Sequence, residues 1–374
     1  MRKILLFFVI FITFSMVIFP EEAYKAASQG LLLWWQVVLP SLLPFFICAE
    51  LLVAMGAMEY MGALLEPLMR PLFRLPGEAA LAIVMGYTSG FPTGAAITAR
   101  LRQNNLISRE EGERLLAFTN NASPLFIVVG VATGILNAPQ LGILLLGVHY
   151  LSNLCIGIFL RFFAKGASLH IKKICTNSRC RIEVNRHHEP VGKLLKNAAQ
   201  KAGGNIAIIG CYLVFFSVLT QMLSTSGFAE IIWQPFVALG FSKEIVASIS
   251  AGFWEMTLGV NTVGAGALPI SIAFPLCASI LAWGGLSVQA QVAAMVSETD
   301  IHCGIYLICR FIHSAVSFVL AFMIYNSPWM PSIPAVAPLS ASFPIMPTYV
   351  NLYLPILSIS LLLALTLIGR LVRR

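Results

Sequence analysis

The residues best able to do chemistry in this chain sit where polar groups are expensive. Glu255 lies in the stretch Gly252-Phe-Trp-Glu-Met-Thr-Leu-Gly-Val-Asn261, whose other polar members are Thr257 and Asn261. An ionisable residue in apolar sequence of this kind is a functional-site hypothesis by default. Two roles fit Glu255: carrying a proton, or making a structural hydrogen bond at a turn. A second stretch, Gly86-Tyr-Thr-Ser-Gly-Phe-Pro-Thr-Gly94, sets the hydroxyls of Thr88, Ser89 and Thr93 among glycines and a proline that stop helix propagation. Freed backbone N–H groups there suit an anion or polar ligand, or the segment simply reverses a hairpin. It is no Walker loop, since no Gly-Lys-Ser/Thr follows.

A third cluster, Phe118-Thr-Asn-Asn-Ala-Ser-Pro124, interrupts an apolar run. Pro124 removes a backbone donor, and Asn120, Asn121 and Ser123 either satisfy the freed groups or face a ligand. Two adjacent asparagines are costly against lipid, so they should face protein or a cavity. The matching break is expected at Phe274-Pro-Leu-Cys-Ala-Ser279, with Ser279 completing the same cavity. Glu50, His149, Arg310 and His313 also fall within apolar runs, and Glu50 with Arg310 is a candidate buried pair. Bonding between helices accounts for these residues better than catalysis. No HExxH or nucleophile–base spacing is present, and none of the eight cysteines forms a CxxC pair. The expectation is no enzyme, no cofactor and no metal site, including at Cys175 and Cys180 with His170, His187 and His188.

The elements that must position these residues are membrane helices. Of 374 residues, 58% are hydrophobic and only 11% charged, and the mean hydropathy is +0.84. Soluble domains usually carry about 25% charged residues. Eight apolar runs approach or reach the roughly 20 residues a crossing helix needs: 4–19, 30–58, 115–136, 139–163, 203–223, 268–283, 301–325 and 349–369. Two further stretches, 77–97 and 243–266, are too broken by Gly, Pro and hydroxyl residues for a simple crossing and suit re-entrant hairpins.

Basic clusters order these pieces, because Lys and Arg stay on the cytoplasmic side. Arg2 and Lys3 place the N-terminus inside, as a retained anchor without a small-residue cleavage site. Arg70, Arg74, Arg100, Arg102, Arg109 and Arg114 flank the first hairpin on the same side. The loop 164–202 carries nine Lys and Arg against two Glu, and Arg370, Arg373 and Arg374 end the chain inside. The second hairpin region has Lys243 alone and reads as external. The net charge of +8 is thus explained by topology, with no nucleic-acid partner. The expected fold is all-α and polytopic, with about eight spans and two hairpins in two inverted repeats. Its expected parts are 1–29 as an anchor, 30–163 as the first repeat, 164–202 as a cytoplasmic loop, 203–325 as the second repeat, and 326–374 as an external loop with a last helix. A direct match supports the repeat: Glu78, Ile83 and Gly86 align with Glu244, Ile249 and Gly252.

At GYTSGFPTGAAITARL, FTNNASPLF and GFWEMTLGVN the sequence resembles the nucleoside-recognition Gate domain family, over roughly residues 30–325. The resemblance implies paired hairpins around a central site and, for the branch it is nearest, a role in endospore formation. Gate domains also resemble parts of concentrative nucleoside transporters and ferrous-iron transport proteins. The GQTE-type hairpin sequence of the former is replaced here by Gly86-Tyr-Thr-Ser, which weakens nucleoside as the substrate. Two functions stand as expectations. One is a secondary transporter of a small polar solute through Thr88, Ser89, Thr93, Asn120, Asn121, Ser123, Glu255, Thr257, Asn261 and Ser279. The other is a non-transporting membrane scaffold for endospore formation. The partners expected are the lipid bilayer and that solute, and a homo-oligomer is compatible with both.

Overall fold

The computed structural model describes residues 2–55, 57–163, 190–266 and 268–327, and every regular element among them is helical. The expected span 349–369, the loop 164–189 and the segment from 328 lie outside the described residues.

Helix α1 (Arg2–Ile18) is followed by α2 (Pro20–Leu33), which starts with Pro20 in its first turn and Glu21 and Glu22 beside it. Those carboxylates suit the positive end of a helix. A π-type stretch at Trp34–Val38 carries α2 on into α3 (Leu39–Ala54). The helix therefore begins ten residues before the expected start at Gly30. After α4 (Ala57–Phe73) come α5 (Ala80–Thr88) and α6 (Thr93–Gln103), which form the first hairpin. α7 (Arg109–Thr119) opens on a capping box: Ser108 accepts from the Glu111 N–H and Glu111 accepts from the Ser108 N–H. A π-type helix, Phe126–Ile135, continues beyond a break, and α8 (Gly142–Leu160) completes the first half.

The second half follows a similar order. α9 (Val191–Thr225) precedes α10 (Phe228–Ala238), then α11 (Lys243–Trp254) and α12 (Met256–Ala265) form the second hairpin. α13 (Ile270–Trp283), α14 (Gly285–Val296) and α15 (Gly304–Tyr325) follow. Among the described residues, four stretches are long and apolar enough to cross a membrane: Pro139–Phe163, Val191–Thr225, Ile270–Val296 and Gly304–Tyr325. Large apolar side chains stand exposed on them and on α1, including Phe14, Ile143, Ile308 and Phe311. In water such surface would be a liability. Against lipid it is the expected outer face.

Contacts between helices use small residues, as membrane packing requires. A Cβ at Gly30 would lie 2.8 Å from Ser217 Oγ, and one at Gly210 would lie 2.7 Å from the Trp34 ring, so α2 and α9 sit close. The Trp34 indole N–H finds an acceptor in the Ile206 carbonyl at 3.0 Å. Hydroxyls bond across other pairs: Ser279 with Ser314 and Ser152 with Ser317, each at 2.8 Å.

The charged end of the molecule gathers segments remote in sequence. Arg102 forks onto Asp300 at 2.8 and 2.9 Å, tying the first hairpin to the α14–α15 connector, and the His302 N–H donates to Glu113. The Arg102 hydrogen bonds hold the Asp300 carboxyl below its ordinary pKa. A depressed carboxylate stabilises the fold above its unfolded pKa and loses that contribution as pH falls through the folded value. Asp300→Asn should therefore flatten the acid limb of an unfolding-versus-pH curve, by lowering stability at neutral pH and leaving it unchanged below the folded pKa. The pair is solvent-exposed, so the effect is small.

Candidate functional site

The two hairpin tips each press against a break in a neighbouring helix, and glycine makes both approaches feasible. In the first hairpin, a Cβ at Gly86 or Gly94 would fall 1.8 or 2.1 Å from the Thr119 carbonyl oxygen at the end of α7. Gly90, at φ +87°, lies against Ser123, its notional Cβ 2.9 Å from the Ser123 nitrogen. The tip of hairpin one is thus docked into the Asn120–Ser123 break. Asn120 fastens it there: its Oδ1 accepts the Ala95 N–H at 2.9 Å, and its Nδ2 donates to the Leu116 carbonyl.

Hairpin two repeats the arrangement. Gly259 meets Gly252 so closely that a Cβ would lie 2.3 Å from the Gly252 Cα, much as Gly86 faces Gly94. Glu255 sits at the tip and caps α12, its carboxylate accepting the Leu258 N–H at 2.7 Å. The break it faces lies at Gly284–Gly285, with φ of +83° and +78°. A Cβ on Gly285 would stand 2.8 Å from the Met256 nitrogen, and one on Gly284 would stand 3.4 Å from the Phe91 ring of hairpin one. The second break is therefore not at Phe274–Ser279. Pro275 lies inside a continuous α13, and the left-handed backbone that only glycine adopts easily supplies the interruption instead.

A buried polar network locks the first break. Arg310, fully buried on α15, donates to the carbonyls of Asn120 at 2.7 Å and Ala117 at 3.0 Å, and to Asn153 Oδ1 at 2.6 Å. Ala117 and Asn120 carry carbonyls at the C-terminus of α7, the negative end of its dipole, so the guanidinium is a C-terminal cap delivered by another helix. Asn153 Nδ2 donates onward to Asn121 Oδ1 and the Phe118 carbonyl, both at 2.6 Å. His149 accepts the Ala122 N–H through Nε2, and His313 bonds the His149 carbonyl. The Tyr150 hydroxyl bonds the carbonyls of Tyr87 and Ala122.

Arg310 does not pair with Glu50. Glu50 pairs instead with Arg100 of hairpin one at 2.7 Å. That pair lines a polar cavity of about 210 Å³, together with Thr93, Gln103, Asn205 and Glu298. At about 30 Å³ each, on the order of seven waters fit this volume.

The expected site residues thus divide. Ser89 and Thr93 are buried, and their hydroxyls have no partner among the described residues; Thr93 reaches the cavity. Glu255 and Thr257 are buried at the second tip. Asn120 and Asn121 are spent on protein bonds, and Ser123 Oγ accepts the Phe126 N–H. Thr88 points outward and bonds its own helix at Val84, Asn261 is exposed on α12, and Ser279 bonds Ser314 away from either tip. Sequence reasoning missed Asn153, Tyr87, Tyr150, Arg100 and Asn205. One signal was available: His149 with Asn153, and Arg310 with His313 and Ser317, recur at the three-to-four-residue spacing of one helix face.

The model of the Gate family, described as nucleoside recognition, matches residues 35–139, which run from the π-type stretch before α3 through hairpin one and the first broken helix. A helical membrane protein with a Gate domain is the class that this match and the fold define. The sporulation integral membrane protein YlbJ of Bacillus subtilis is 35% identical over 332 residues, covering 85% of this chain and 81% of that protein. The chain belongs to the YlbJ family. An uncharacterized protein of Alkalihalophilus pseudofirmus is 30% identical over 124 residues, covering 31% of this chain and 26% of that one. No solved structure matches the chain.

Proposed function

We propose that the protein is a secondary transporter of a small polar solute, acting in the membrane of a sporulating cell, with its two hairpins entering the bilayer from opposite faces as inverted repeats. The observation that carries the reading is the polar cavity that runs to Thr93 at the tip of hairpin one. Buried hydroxyls without protein acceptors are costly unless something else bonds them. Thr93, with Ser89 nearby on the tip, supplies such groups, and Glu50, Arg100, Gln103, Asn205 and Glu298 make the cavity polar along its length. Glu255 and Thr257 stand on the opposing tip. The solute class is small, hydrogen-bonding and partly charged.

Inversion is supported by the run of the helices. α7 goes from the arginine-rich end to the break, and the following π-type helix continues to Ile135. A Cβ on Gly264, at the foot of hairpin two, would lie 2.4 Å from Ile135. That contact supports a hairpin two that opens toward the end opposite Arg100. Sites where broken helices meet at the repeat interface are the recurring plan of secondary transporters.

Uptake by the full chain reconstituted in vesicles tests this, using a panel of labelled nucleosides, amino acids and polyols with and without a proton gradient. At least one solute should accumulate above empty vesicles, and Thr93→Val should slow it about tenfold, the value of one hydrogen bond. Glu255→Gln should remove any dependence on the proton gradient. Undiminished uptake in the Thr93→Val, Glu255→Gln double variant would sink the site. Loss of sporulation on neutralising the basic loop, with cavity variants silent, would favour the scaffold.

A further inference from the structure

Away from the cavity, three arginines tie the C-terminus of α4 to α7 and to the end of α8. Arg114 of α7 donates to the carbonyls of Phe73 and Arg74, each at 3.1 Å. Arg161, at the end of α8, donates to the Pro71 carbonyl at 2.9 Å, and Arg74 donates to the Arg161 carbonyl at 3.4 Å. These bonds use few of the five N–H donors each guanidinium carries. The buried Nε atoms of Arg114 and Arg161 have no acceptor among the described residues. No ion pair joins a carboxylate to any of the three among the described residues: Glu66 pairs with Arg70, Glu111 serves the α7 capping box, and Glu110 and Glu111 attract Arg114 at longer range. Arg74 and Arg161 are thus left without a paired carboxylate among the described residues, and an anion from outside would complete them.

Two features say what the anion is attached to. Arg161 sits at the end of the apolar stretch Pro139–Phe163, 25 residues or about 37 Å of helix. That length reaches through the hydrocarbon into the headgroup region. Its guanidinium lies 5.1 Å over the Phe162 ring, and Phe162 and Phe163 are both exposed, as aromatic residues at a membrane interface are. Arg74 holds a left-handed backbone, φ +51°, at the position after α4 where glycine is usual. Its side chain is exposed there.

We propose that Arg74 and Arg161, with Arg114 beneath them, form a binding site for the headgroup phosphate of an anionic phospholipid. The phosphate bridges the exposed Arg74 and the half-buried Arg161, and Arg114 adds charge from below while its own bonds hold the end of α4. Basic pockets between membrane helices are suited to such headgroups. The site fixes the foot of hairpin one and the end of α8 to one leaflet.

Native mass spectrometry of the full chain, delipidated and titrated with phosphatidylglycerol or phosphatidylcholine, tests this. Phosphatidylglycerol should bind in preference. Arg74→Gly and Arg161→Gln should each weaken it about fivefold and together about thirtyfold, with phosphatidylcholine unchanged. Arg74→Gly suits the backbone at that position, so its lipid-free melting temperature should match or exceed that of the unaltered chain. Full phosphatidylglycerol binding by the double variant overturns the site. Displacement of the lipid by inorganic phosphate alone overturns the lipid as its source.

Discussion

Arg310→Met is expected to destabilise the protein by about 3 kcal/mol, seen as a fall of several degrees in the melting temperature in detergent. The number follows from what the guanidinium does. An average hydrogen bond between membrane helices contributes only about 0.6 kcal/mol, so three ordinary bonds would give less than 2. Arg310 makes three bonds with a charged donor, two of them to carbonyls at the broken end of α7. Methionine fills the volume but leaves Ala117 O, Asn120 O and Asn153 Oδ1 without this donor, each orphan costing about 1–3 kcal/mol. Relief from burying a charge returns part of that. Arg310→Lys should lose about half as much, since an ammonium keeps the charge but not the planar fork. Equal stability of Arg310→Met and the unaltered chain would show that α7 needs no cap from α15.

Gly86→Ala and Gly94→Ala should each cost about 3 kcal/mol or more, beyond the usual range for overpacking. The obstacle is the Thr119 carbonyl, part of the backbone, at 1.8 and 2.1 Å from the added carbon. No side-chain rotation removes that contact; hairpin one must leave the break. Gly147→Ala is the matched control. Nothing lies within 4 Å of a Cβ there, and alanine is the better helix former by up to about 1 kcal/mol. Melting curves of the three variants should therefore move in opposite directions. If Gly86→Ala and Gly94→Ala also transport normally, the docking of tip against break is irrelevant to function.

Much of this fold was written locally in the sequence. The glycine-and-proline stretch at 86–94 and the Asn-Asn-Ala-Ser-Pro run at 120–124 mark a hairpin and a break because such residues cannot extend a helix. The alignment of Gly86 with Gly252 found two positions that do the same work, the close contacts with Gly94 and Gly259. The second break lies not at Pro275, since a proline inside a membrane helix is tolerated where neighbours satisfy the freed carbonyl, but at Gly284-Gly285, where the backbone turns left-handed. Partner choice was not legible. Glu50 meets Arg100 and Arg310 meets Asn153 through contacts 50 and 157 residues apart in sequence, which periodicity does not encode. Within the tips, helical phase separates Thr88 from the buried Ser89, and a phase set by tertiary docking is invisible in a motif.

The proposed transport path needs two hairpins that open toward opposite faces of the membrane. The most direct measurement is labelling of single cysteines, introduced at the exposed positions Gln103 and Lys243 in a chain whose native cysteines are replaced by alanine, with a membrane-impermeant maleimide. In intact cells the Lys243→Cys variant should label at once and the Gln103→Cys variant only after the membrane is permeabilised. Labelling of both from the same side would contradict the inverted arrangement and the transport path built on it.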